Sequence, residues 1–210
     1  MKIIVLLSFF LLSIGIANAQ KTRFGLKGGL NIANIDLTTN STAPFTFNSK
    51  TSFNVGFIVE INVSPKLYIQ PEVFYSGQGA SFNFNVSNGS QQVFTYNKLN
   101  FGYINIPVIV KYDVAQNIFL EFGPQIGFLV NADLETTFNN QTKSQSFSQN
   151  VRDYDFGLNI GLGFNATKDL SINGRYYFGL TNIDKSEPNT TSDQLKNRVL
   201  SIDLIYKFKS

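Results

Sequence analysis

The chain has 210 residues, with no cysteine, histidine or tryptophan, and its formal charge is +3 from 17 basic and 14 acidic side chains. The missing cysteine excludes disulfides, thiolate metal sites and a lipid-modified cysteine, and the missing histidine removes the commonest general base and zinc ligand. The charge balance is too even for a nucleic-acid footprint. Residues 1–19 read as a secretory leader: Lys2, an apolar core from Ile3 to Ile16, then Ala17-Asn18-Ala19 as a small-x-small cleavage pattern. The expected mature chain, 20–210, forms one domain. No later apolar run reaches the length of a spanning helix.

From there the pattern has period two, which marks strands with two unlike faces. The first predicted strand is Arg23 to Ile32, with Phe24, Leu26, Leu30 and Ile32 on its apolar face. The second, Phe53 to Val63, is the clearest: Phe53, Val55, Phe57, Val59, Ile61 and Val63 share one side. The others are Leu67 to Gly77, Leu99 to Tyr112, Ile118 to Ala132, Tyr154 to Asn165, Leu170 to Thr181 and Arg198 to Phe208. Eight is an even number, as single-chain bacterial barrels require. Ser64-Pro65-Lys66, Asp113 to Asn117 and Ala166 to Asp169 are short connections. Ile35 to Ser52, Ala80 to Asn97, Asp133 to Asp153 and Asn182 to Asn197 are long and polar. Short turns at one end and long loops at the other predict an all-β fold. It is an eight-stranded, antiparallel, up-and-down transmembrane β-barrel with short periplasmic turns and long extracellular loops.

Within these strands the charges avoid the apolar face, Arg198 excepted. Lipid requires such exclusion, since Lys or Arg at the membrane midplane costs about 2–4 kcal/mol. A soluble lipocalin-like barrel shows the same alternation with its faces reversed. Glycines on the charged face and aromatics near the ends of the apolar face favour the membrane orientation. Eight strands leave an interior that side chains can fill. Lys27, Glu60, Glu72, Lys111, Glu121, Arg175 and Asp203 lie at similar depth when counted from the short turns, and are expected to form one layered, structural ionic network. Gly161-Leu-Gly163-Phe-Asn-Ala166 matches a dinucleotide pattern, but it lies in an alternating strand and opens no helix. No catalytic, cofactor-binding or metal-ligating residue is expected. Histidine-dependent lipase, acyltransferase and protease chemistry is excluded.

Several motifs resemble the PorT-like outer-membrane β-barrel family of Bacteroidetes. Tyr103-Ile-Asn-Ile-Pro-Val-Ile-Val-Lys-Tyr112 is similar to that family's Y-L-E-I-P-L-L-x-K-Y strand, with Asn105 where glutamate is usual. Gln70-Pro71-Glu72, Tyr75-Ser76-Gly77, Phe122-Gly123-Pro124, Asp155-Phe156-Gly157-Leu158 and Arg175-Tyr176 are similar to other family motifs. The resemblance implies the outer membrane as the location. The founding member's association with type IX secretion adds one alternative, an accessory barrel of a secretion or assembly machine. The leading expectation is a non-enzymatic protein with a structural or surface-contact role carried by four nearly neutral loops; a small-solute channel ranks below both. Expected partners are outer-membrane lipid and proteins at the cell surface or in the periplasm, with no nucleic acid, no cofactor and a monomeric barrel.

Overall fold

The computed structural model describes residues 22–38, 47–88, 91–138, 141–185 and 194–209, so the leader expected at 1–19 lies outside the described residues. Nine strands follow in chain order: β1 (Thr22–Thr38), β2 (Lys50–Ser64), β3 (Leu67–Asn88), β4 (Gln91–Asp113), β5 (Ile118–Phe138), β6 (Gln141–Ser146), β7 (Tyr154–Asn165), β8 (Leu170–Gly179) and β9 (Gln194–Lys207). Among the described residues no helix is long and apolar enough to cross a membrane. Each strand pairs antiparallel with its neighbours in the order β4-β3-β2-β1-β9-β8-β7-β5, and β4 pairs with β5, which closes an eight-stranded ring. Closure leaves no free strand edge in the ring to face lipid. The strand β6 lies outside the ring, paired to the far end of β5.

The faces resolve as lipid demands. Phe57 is 63% exposed and Leu30 61%, while Lys27 and Glu72 are buried. Water would reverse this distribution. The exception noted in the sequence, Arg198, points outward near the strand end, where its guanidinium reaches the Gly179 carbonyl at 2.7 Å and Asp36 at 2.9 Å. A long stem carrying its charge towards the interface avoids the midplane cost.

Strands run further than the sequence pattern predicts. Only residues 89 and 90 separate β3 from β4, and only 139 and 140 separate β5 from β6. Much of the expected second and third long loops is therefore paired strand. Beyond the ring, β3, β4, β5 and β6 continue as a four-stranded outer sheet, with Ala80 opposite Leu99, Tyr96 opposite Thr137 and Leu134 opposite Gln145. Pairing satisfies the backbone groups of Asn- and Ser-rich segments that composition alone reads as loop. Gly79 sits where β3 enters this extension, at φ +120, a conformation that other residues rarely adopt.

Glycines on the inner face make room for large neighbours. A side chain at Gly163 would collide with the Phe119 ring, whereas one at Gly174, on the outer face of β8, would meet nothing within 4 Å. Gly163→Val should lower the unfolding free energy by at least about 1–3 kcal/mol, the usual cost of overpacking. Gly174→Val should be tolerated. Urea midpoints of the two variants, refolded in lipid vesicles, check the contrast.

Candidate functional site

The ring brings inward one residue in two from each strand, and seven of those positions were singled out by their charge. All seven are buried. Arg175 on β8 forms a two-pronged pair with Glu72 on β3, at 2.8 and 2.9 Å, and also reaches Glu121 on β5 at 2.9 and 3.0 Å. The planar fork of arginine suits such bidentate contact. Lys27 bridges Glu72 at 3.3 Å and Asp203 at 3.0 Å. Its ammonium also lies 4.2 Å from the centre of the Phe74 ring.

Glu60 and Lys111 stand apart from this group. Lys111 binds Glu60 at 2.8 Å, Lys207 joins the same carboxylate at 3.2 Å, and no ion pair among the described residues links these three to Arg175. The single layer expected from residue counting is therefore two groups. Barrel strands tilt and their registers shear, so equal distances along the chain from the turns are not equal depths. Lys207, on the inward face of β9, is buried and joins this group although it lies outside the seven expected residues.

Uncharged partners also escaped the sequence reading. Gln70 donates to Glu72 at 2.8 Å, Asn173 to Glu121 at 2.7 Å, and Asn54 to Asp203 at 2.8 Å. Their signal was parity, since each shares the inward alternation of a charged neighbour. Such bonds meet part of the remaining needs of carboxylates removed from water, while Glu121 Oε1 is buried without a hydrogen-bond partner. The cavity left among Lys27, Asn105, Arg175 and their neighbours is about 20 Å³, little more than one water needs. Asn105 lines this space as a neutral side chain.

Above the polar middle, the inside turns apolar. Ile35, Leu99, Phe101, Tyr103 and Ala132 are buried with Val151 and Ile183, which come from connections rather than strands. Phe47, Phe82, Leu129, Leu134, Phe147 and Leu195 pack against them. The chain at 147–153 is held by backbone bonds from Phe147 to Ala132 and from Arg152 to Ile183, each 2.7 Å. A hydrophobic cap thus sits at the outer, extracellular end. The inner end differs: a mouth of about 480 Å³ opens among the short turns, lined by residues that include Glu60, Lys111 and Lys207.

A charge-lined interior inside an apolar exterior, with tight turns gathered at one end, is the solution a bacterial outer membrane imposes on a chain that crosses it with strands. The protein is an outer-membrane β-barrel. It belongs to the family described as the outer membrane protein beta-barrel domain, whose model matches residues 18–185. No curated protein matches the sequence. Among solved structures, it is similar to the attachment invasion locus protein Ail of Yersinia pestis, with 11% identity, TM-score 0.47, and coverage of 90% of this chain and 99% of that one. Neisserial surface protein A is similar at 13% identity and TM-score 0.46, covering 88% and 97%. The outer membrane protease OmpT of Escherichia coli is similar at 11% identity and TM-score 0.43, covering 90% and 96%.

Proposed function

We propose that this barrel is a non-enzymatic surface protein that makes contacts through the outer sheet of β3, β4, β5 and β6. One observation carries the reading: the strands continue outward as a paired platform while the lumen beneath is filled by ion pairs and covered by an apolar cap. A channel needs an open path, and an enzyme of this chain would have to work without histidine. In the outer platform, β6 (Gln141–Ser146) is polar and exposed along its whole length. In this reading the ionic groups are a structural filling of the barrel, residues 1–19 are a leader removed on export, and the barrel is monomeric.

Shortening both outer hairpins, by deleting 83–96 and 136–143 with tight turns in their place, should leave the ring folded and heat-modifiable on gels. Attachment or aggregation of cells displaying the variant should fall to the level of cells without the protein. Unchanged attachment would remove the platform from the proposal, and steady porin-like current from the intact protein in a planar bilayer would overturn the filled interior.

The motifs shared with PorT-like proteins, together with a mouth facing the periplasm, favour a second reading as an accessory barrel of a secretion or assembly machine of the type IX kind. Several of those motif residues meet at the barrel centre, where Gln70 and Arg175 both donate to Glu72. Partners that co-purify with the intact protein from detergent-solubilised outer membranes would select this reading over the first.

A further inference from the structure

The periplasmic mouth is built unlike the other end. Its volume, about 480 Å³, falls in the range of about 300–1,000 Å³ common to small-molecule sites. At its floor two ammonium groups share one carboxylate: Lys111 at 2.8 Å and Lys207 at 3.2 Å from Glu60. All three side chains are more than nine-tenths buried. An ammonium carries three N–H donors. The bonds to Glu60 use one on Lys111 and at most two on Lys207. Lys111 also lies 3.9 Å from the centre of the Phe119 ring, a cation–π contact that helps hold it at the floor.

The remaining charges of the lining leave a positive excess. Arg23 pairs with Asp169 and with the Lys168 carbonyl. Asp113 accepts a bond from the Tyr68 hydroxyl, and its Oδ1 is buried without a hydrogen-bond partner. Arg23, Lys111, Lys168 and Lys207 therefore face Glu60, Asp113 and Asp169, and one positive charge is left over. The walls between floor and rim carry the amides of Asn62, Asn117 and Asn165. Amide side chains offer donors and acceptors together, which suits a peptide unit next to an anionic group.

We infer that the periplasmic mouth is a binding site for a carboxylate-bearing ligand, held at its anionic end by Lys207 and Lys111 and along its amide by the asparagine walls. The carboxylate would come from a free dicarboxylate or from the C-terminus of a short peptide, and both share the same anchor. This goes beyond the surface role proposed above, since it concerns the opposite end of the barrel.

The test uses the full mature chain refolded in detergent micelles and isothermal titration calorimetry at low salt. The probes are succinate, an acetylated tripeptide with a free C-terminus, and the same tripeptide amidated. Saturable binding is expected for the free acid, with the amide at least about tenfold weaker, a ratio equal to about 1.4 kcal/mol. Succinate binding as tightly as the tripeptide acid would identify a free solute as the ligand; a tighter tripeptide would identify a peptide terminus. Lys207→Gln should weaken the acid by about tenfold. Lys168→Gln changes an exposed rim residue and leaves the floor intact; it should weaken binding by about two- to threefold, and it keeps the test decisive should Lys207→Gln not fold. Equal affinity for acid and amide, absence of saturable binding, or affinity unchanged by Lys168→Gln would each overturn the inference.

Discussion

Arg175→Ala is expected to cause the largest loss of stability of any single change inside the barrel. Arg175 is held by four side-chain hydrogen bonds to Glu72 and Glu121, all between 2.8 and 3.0 Å. Its removal leaves Glu121 with Asn173 as its described partner and Glu72 with Lys27 and Gln70. A buried pair broken from one side costs about 3–5 kcal/mol, because the surviving charge stays out of water. Arg175→Lys should recover only part of this loss, since an ammonium cannot reproduce the fork that grips two carboxylates. Replacing both partners, in Arg175→Met with Glu72→Gln, should cost less than Arg175→Ala alone. Urea unfolding in lipid vesicles gives the free energies. A loss below about 1 kcal/mol for Arg175→Ala would mean that water enters the centre and that the interior is not the closed filling described above.

Phe57→Arg is the corresponding change on the outer face. Phe57 lies at the middle of β2, opposite Leu26 on β1 and Val73 on β3, and points away from the barrel. A guanidinium there enters hydrocarbon at about 2–4 kcal/mol. The same substitution at Tyr206, near the end of β9, should cost about 0–1 kcal/mol, because such penalties fall off near the interfaces. Cysteine labelling separates orientation from stability. A cysteine at Val55 should react with a lipid-soluble reagent and one at Asn54 should not, since Val55 is 53% exposed and Asn54 is buried. Reversed labelling would place the apolar face inside and make the chain a soluble barrel.

Both features are partly legible in the sequence. Alternation in Phe53 to Val63 assigns Phe57 to the apolar side, and the exclusion of charge from that side points it towards lipid. The same parity puts Arg175, Glu72 and Glu121 inside together. Which acid meets which base was not legible. Position along its strand sets Glu60 level with Lys27 and Arg175, yet it pairs with Lys111 and Lys207, because strand tilt and register decide depth in a closed ring.

The outer end was less legible still. A register shift opposite Gly102 and Tyr103 on β4 interrupts the alternation of β5. Below it Gln125 and Gly127 face inward; above it Ala132 does. A bulge inserts one residue and reverses every later side chain, so a period-two reading carried through Val130 assigns the wrong face beyond it. The hydrophobic cap draws Val151 and Ile183 from polar connections where no period exists to mark them.

What the sequence by itself determined is therefore everything that depends on local signals: strands in place of helices, eight of them in the ring, one face fit for lipid and one for charge, and three short turns gathered at one end. Alternation is a property of one strand, set by a backbone that points successive side chains to opposite sides. Tertiary structure alone decided the two ion-pair groups, the bulge on β5, the outer sheet built from segments with loop-like composition, the apolar cap and the open mouth below. Each of these depends on the register between strands far apart in the chain, and register follows from closing the ring, which no single strand encodes.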